Sequence, residues 1–334
     1  MGGFIIGFLS TALPRMLDTT GLTPLELLLY LFLYIVSICS YITQSYFVGD
    51  AVFLLLLILH GSVMCVRFIK RKDLPPPSFI LVIFGYFSAV SGIILLNQAR
   101  FFEYNYFFIT LGRNLLYQGF ILFPLLGVSS FLIPRFLGFT NRQAFPESRT
   151  PPPGWTANAL TVVSVGSLIL LGFWLEHTGL TKVGGSIRAL TAAGYLFFSL
   201  PLYRLPKIPG FLPLCLHAGL WLMIIGLCLP IITDYRLIPL HTLFIGGFSL
   251  ITIMVATRVI FGHSGHGFLF KSRMLFIGII TLFILISLDL RITGDLFPLS
   301  RNIHLALSAV SWMIAVIIWA TIVLPKVLVP DPET

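Results

Sequence analysis

Ten separate apolar runs, each close to the roughly 20 residues a helix needs to cross a bilayer, occupy most of this 334-residue chain. They lie at Pro24–Thr43, Gly49–Phe68, Ser78–Leu96, Phe107–Ile133, Thr156–Leu175, Gly184–Tyr203, Phe211–Ile232, Ile238–Phe261, Ser272–Leu288 and Asn302–Leu324. An eleventh, Gly2–Leu13, is apolar but short for a crossing, and it lacks the basic start of a signal peptide. Hydrophobic residues make up 57% of the chain and charged ones 10%, against about 25% charged in soluble domains, so lipid must act as the solvent. The expected fold is all-α, a polytopic transmembrane bundle of about 10–11 helices in one integral membrane domain over residues 1–334. The Pro- and Arg-rich connector from Arg135 to Trp155 is the candidate boundary between halves 1–134 and 156–334. No internal repeat is evident in the residues.

The formal net charge of +9 is spread over loops, with no groove-lining or aromatic-interleaved basic stripe, which argues against nucleic-acid binding. With eleven crossings, alternate loops place Arg15, Arg67, Lys70, Arg71, Lys72, Arg135, Arg142, Arg149, Arg204, Lys207, Lys271, Arg273 and Lys326 on one side, against six cations opposite. The positive-inside tendency makes the richer side cytoplasmic, and the C-terminus with it.

Ordinary enzyme chemistry finds no footing. The carboxylates sit at helix ends or in loops, and there is no phosphate-binding Gly loop, nucleophile elbow or HExxH pattern. Cys39, Cys65, Cys215 and Cys228 all fall in apolar runs without a CxxC, so they read as small helix fillers. The seven histidines remain. His241 and His304 share a depth near one end of their helices, as two ligands of one metal must, with His177 a third at similar depth. His217 and His263 lie toward the opposite ends of theirs. His60 and Met64 share a helical face, where packing outweighs an imidazole–thioether copper site.

The most distinctive stretch runs from His241 to Gly267, HTLFIGGFSLITIMVATRVIFGHSGHG. On a regular α-helix His241, Thr252 and His263 fall within about 40° of one another, a polar stripe expected to face the bundle interior. Arg258 either snorkels to the interface or serves inside, pairing with a haem propionate or a helix C-terminus.

This stretch resembles the signature of the NnrS family: a helix-opening His, a Gly-rich middle, Thr-Arg, a few residues, then Gly-His-x-Gly-Arg. His241, Gly246-Gly247, Thr257-Arg258 and Gly262-His263-Ser264-Gly265 match, with His266 replacing the final Arg. His217-Ala-Gly-Leu-Trp221 and the closing helix with Ser308, Trp312 and Pro325 add to the likeness, which is specific from Phe211 to Pro330. The family's upstream Trp-His-x-His-Glu-Met motif is missing ahead of Met1-Gly2-Gly3-Phe4, as in a divergent, N-terminally shortened member, and its Gly-Gly-Arg motif is reduced to Gly127 through Ile133-Pro134-Arg135.

The resemblance implies a bacterial inner-membrane protein carrying haem and copper and linked to nitric oxide stress. On that reading His241 and His304 are metal ligands, His217 and His263 further cofactor-binding candidates, and Arg258 a structural or propionate partner. Two other classes compete: a small-solute transporter or channel lined by the polar stripe, and a metal-free scaffold for another membrane protein. No enzyme activity is assigned.

Overall fold

A computed structural model describes residues 1–101, 105–271 and 273–329. Helices account for most of it, and no strand occurs among the described residues. We number the helices α1 (Gly2–Met16), α2 (Pro24–Ile42), α3 (Tyr46–Ile69), α4 (Ile80–Phe101), α5 (Tyr106–Leu137), α6 (Trp155–His177), α7 (Thr181–Ser199), α8 (Phe211–Ile232), α9 (Leu237–His263), α10 (Leu275–Leu296) and α11 (Arg301–Val327). The all-α polytopic bundle is therefore what the chain forms.

Nine of these helices, among the described residues, are long and apolar enough to cross a membrane. α1 and α7 are the two that are not. The expected crossing Gly184–Tyr203 is a 19-residue helix displaced to Thr181–Ser199, where it takes in Lys182 and includes Arg188 and several small residues that dilute its hydropathy. The expected start of the tenth run, Ser272, and the last residue of the family-like stretch, Pro330, lie outside the described residues.

Helix starts follow from local chemistry. Thr23 caps α2: its hydroxyl accepts from Glu26 N–H, the Glu26 carboxylate accepts from Thr23 N–H, and Pro24 occupies the first turn, where no donor is needed. Asn105 caps α5 by accepting from Phe107 N–H. Between α6 and α7 the chain turns at Gly179, whose φ of 95° a side chain would strain. Large apolar side chains point outward, with Leu25, Phe32 and Ile42 of α2 at 76%, 62% and 75% exposure, as befits a surface solvated by lipid.

The chain divides into two compact units. Unit 1 comprises Met1–Phe131 and Asn141–Gly184; unit 2 comprises Leu132–Thr140 and Gly185–Thr334.

Within unit 1, α4 packs on α5 through glycine. A Cβ at Gly92 would lie 2.8 Å from Gly112 O and from Leu116 N, one at Gly85 would lie 2.5 Å from the Pro124 ring, and one at Gly119 would lie 3.0 Å from Ser88. Where the two backbones approach, α5 widens into a π-helical turn over Asn114–Gly119. α6 packs against both helices.

Unit 2 repeats this arrangement. α8 meets α9 at Gly226, where a Cβ would lie 2.6 Å from Leu243 N, at Gly219 against Ile251, and at Gly246 against Leu222. α9 carries a π-helical stretch over Thr242–Ser249, and α10 packs against the pair. Gly85 and Gly92 are seven residues apart, as are Gly219 and Gly226. The recurrence lies in helix order, π-turns and close glycine contacts. Little else in the residues recurs, so the sequence hides it.

Candidate functional site

The five residues singled out as cofactor or metal ligands, His241, His304, His217, His263 and Arg258, all belong to unit 2. Two of them come together.

His241 lies on the last turn before the π-helical stretch of α9. That stretch follows from Gly246 and Gly247. A Cβ at Gly247 would lie 2.8 Å from Met223 Cα, so only glycine allows the two backbones this close, and the helix bulges to fit. Ser249 Oγ donates to Phe244 O, five residues back, as the wider turn requires.

The bulge directs His241 toward the end of α10. Its Nε2 stands 3.4 Å from Asp295 Oδ2, and Asp295 Oδ1 is 3.6 Å from Arg301 Nη2. The Asp295 side chain is 8% exposed and flanked by these two groups, and Oδ2 has no hydrogen bond within strict geometry. One turn back on the same helix, Arg291 Nε donates to Ser308 Oγ, and Ser308 is also bonded to Ser287.

His304 occupies the first turn of α11. Its Nδ1 is 2.9 Å from the Ser300 carbonyl oxygen, a contact that only an Nδ1–H can make attractive. The ring is thereby fixed in the tautomer whose Nε2 carries a free lone pair. A Cβ at Gly294 would lie 3.1 Å from His304 Cβ, so the glycine makes room for the histidine beside Asp295. One turn of α10, Arg291 to Asp295, thus meets both histidines through its own side chains and backbone. No group of three or more His, Cys, Asp or Glu suited to hold a metal ion occurs among the described residues.

The other three candidates lie elsewhere in unit 2. His217 sits near the start of α8, 15 residues before Ile232 and so roughly 22 Å along the axis from the end where α9 begins. It is 7% exposed, its Nε2 accepts from Trp221 Nε1 at 3.1 Å, and its Nδ1 is buried without a hydrogen-bond partner. His263 ends α9, 22 residues beyond His241, and is exposed.

Arg258, 17 residues beyond His241, lays its guanidinium over the Phe270 ring at 3.4 Å and near Phe136 at 5.3 Å, with Nη1 buried and not hydrogen-bonded. That is a cation–π seat, an internal role for Arg258 distant from His241. Neighbouring Thr257 accepts from Trp319 Nε1 at 2.8 Å, tying α9 to α11.

The polar stripe expected along α9 is interrupted. An α-helix turns about 100° per residue, and the eight π-helical residues turn by less, so Thr252 and His263 leave the line through His241.

His177 and His60 belong to unit 1. His177 Nε2 is 3.0 Å from Asn114 Nδ2, at the opening of the π-turn in α5. His60 is 1% exposed, and both ring nitrogens meet hydroxyls: Nε2 meets Ser10 at 3.0 Å and Nδ1 meets Tyr86 at 2.6 Å. Met64 packs beside it as core, as expected.

Sequence reasoning missed Asp295, Arg291 and Arg301. The signal was available in part. An acidic residue next to a short Phe-Pro linker, followed by an opening helix with a His on its first turn, implies that carboxylate and imidazole fold back to one level.

The sequence model of the family described as NnrS protein matches residues 1–330. No curated protein matches the chain. A family match over nearly the whole length agrees with the motif at His241–Gly265, whose glycines seat α9 against α8 and whose leading histidine meets Asp295. The chain belongs to the NnrS family.

Proposed function

We propose that this protein binds haem at the His241–His304 end of unit 2 and acts in the response to nitric oxide and nitrosative stress. The observation that carries the proposal is the pinned ring of His304. Its Nδ1 faces the Ser300 carbonyl oxygen at 2.9 Å, so Nε2 would be the atom to hold the iron, with the carbonyl orienting the ring from behind.

Haem supplies most of its iron's ligands itself, so one or two imidazoles from the chain would suffice to hold it. Arg291 and Arg301, beside the histidines, are the cations available to the propionates. Arg258 lies too far along α9 to share that role with them. When bound, the haem iron would supply the centre that takes up a diatomic ligand or an electron. The chain's part is to hold, orient and bury it.

Copper fits less well. A protein-built copper centre draws on several imidazole, thiolate or thioether ligands, and no group of three or more His, Cys, Asp or Glu suited to a metal ion occurs among the described residues. We extend the copper proposal no further than the pair His241 and His304.

The setting we propose is the bacterial inner membrane with a cytoplasmic C-terminus. Its support is the thirteen cations that gather on one side when α1 and α7 are counted as crossings.

The test is expression of the full chain in a haem-replete host. A Soret band that co-purifies with the protein, and a ferric spectrum of a histidine-ligated haem, are the expected results. A colourless preparation that also fails to take up haem on reconstitution would overturn the proposal.

A further inference from the structure

Unit 1 buries an imidazole well inside α3, one of the helices long and apolar enough to cross a membrane. His60 lies 14 residues into the 24-residue α3, roughly 21 Å from its start, and only 1% of it is exposed. Three other helices converge on it. Ser10 of α1 meets Nε2, Tyr86 of α4 meets Nδ1, and Tyr30 of α2 stands edge-on with ring centroids 5.3 Å apart.

Both ring nitrogens face hydroxyls, and a hydroxyl donates or accepts with equal ease. Each neutral tautomer is therefore fully hydrogen-bonded. A proton that arrives at one nitrogen can be matched by the N–H proton leaving the other, and the two hydroxyls exchange roles with no bond lost.

The surroundings of His60 differ along α3. Toward the end of the helix, seven residues away, Arg67 donates to Glu26 at 2.7 Å and to the carbonyls of Thr20 and Gly21. Tyr30 stands between these groups and His60, one turn after Glu26 on α2. Its hydroxyl is buried and has no hydrogen-bond partner. A phenol so placed has given up its hydration with no protein partner in exchange, which favours a water reaching it.

Toward the start of α3 the path is closed. Phe53, Leu56 and Leu57 are at most 9% exposed, and Phe120 packs on both Phe53 and Tyr86. These apolar groups separate His60 from the buried Asp50, which Tyr41 and Arg100 hold.

We infer that His60 is a proton-exchange site, reached by water from the Glu26–Arg67 end of unit 1 through Tyr30 and Tyr86 and sealed toward Asp50. The ligand is the proton and its carrier is water. The inference is independent of any metal in unit 2.

The test uses the full chain, labelled with 15N-histidine and 15N-leucine and reconstituted in lipid nanodiscs, with His60→Gln to assign the His60 signal. The probe is exchange of the His60 ring N–H with D2O, compared with the backbone amides of Leu56 and Leu57 on the same helix. The expected ring exchange is at least about tenfold faster than those amides, and slower by about tenfold in Tyr30→Phe, which keeps the ring and removes only the hydroxyl. Tyr86→Phe, the next hydroxyl in line, is expected to slow it as well. A ring proton as protected as the Leu56 and Leu57 amides, or an exchange rate indifferent to Tyr30→Phe in a protein of unchanged fold, would overturn the inference.

Discussion

In unit 1, Gly85 and Gly92 seat α4 on α5; in unit 2, Gly219 and Gly226, at the same spacing, seat α8 on α9. In both, the second helix bulges into a π-turn, and the opening of that turn meets the end of the following helix. The side chains placed there differ. Unit 1 sets Asn114 on the bulged helix and His177 opposite it. Unit 2 sets His241 on the bulged helix and Asp295 opposite it, with Arg301 alongside. The glycines and the bulge fix a frame, and the residues at its mouth vary on it. Imidazole, amide, carboxylate and guanidinium all occupy that level without altering how the helices pack.

The largest effect expected from this comparison concerns the glycines. Gly92→Ala and Gly226→Ala each force a methyl to within 2.8 Å or less of a backbone atom, so each should destabilise its unit by about 1–3 kcal/mol or more. Gly185→Ala and Gly262→Ala, where nothing lies within 4 Å, should be neutral or slightly stabilising. Thermal unfolding in detergent, followed by size-exclusion fluorescence, would check it. If only one of the first pair is sensitive, the likeness of the units fails.

A smaller effect is expected from the buried carboxylates. Asp50 in unit 1 accepts a 2.7 Å hydrogen bond from Tyr41 and lies 3.5 Å from Arg100. Asp295 in unit 2 has the His241 imidazole at 3.4 Å, the Arg301 guanidinium at 3.6 Å and no hydrogen bond on Oδ2. Asp50→Asn should cost about 1–3 kcal/mol and Asp295→Asn about 1 kcal/mol or less, measured by the same unfolding assay. The reverse order would mean that the mouth of unit 2 is held more tightly than its distances indicate.

The smallest effect separates Thr257 on α9 from Ser130 on α5, each 16 residues beyond the residue at its own turn's mouth, His241 and Asn114. Both donate to the carbonyl four residues back, but Thr257 also accepts from Trp319. Thr257→Val should cost about 0.6–1 kcal/mol and Ser130→Ala close to nothing.

Much of this fold can be read from apolar run length alone, because helices that bury few polar groups in lipid must be long and greasy. Polar residues set the limits of that reading. Lys182 and Arg188 leave α7 short of the apolarity its neighbours have, although it is as long as α2. The π-stretch in α9 sits where Gly247 and Leu243 meet the Met223 and Gly226 backbone of another helix, α8, so no periodicity within α9 announces it. His241 and His304 were legible as a pair because depth can be counted along a helix. Asp295 was not, since a carboxylate at a helix end looks solvated until the following linker folds back. The hydroxyls around His60 come from three other helices at separations of 26 to 50 residues, beyond any local pattern.

The central claim is that unit 2, and not unit 1, carries the haem. Haem content per polypeptide, measured on purified wild type, His304→Ala, His241→Ala, His177→Ala and His60→Gln, tests it directly. His304→Ala should lose the Soret band, His241→Ala should weaken or shift it, and both unit 1 variants should keep it at the wild-type level. Haem retained in His304→Ala, or lost in His177→Ala or His60→Gln while the fold survives, would contradict it.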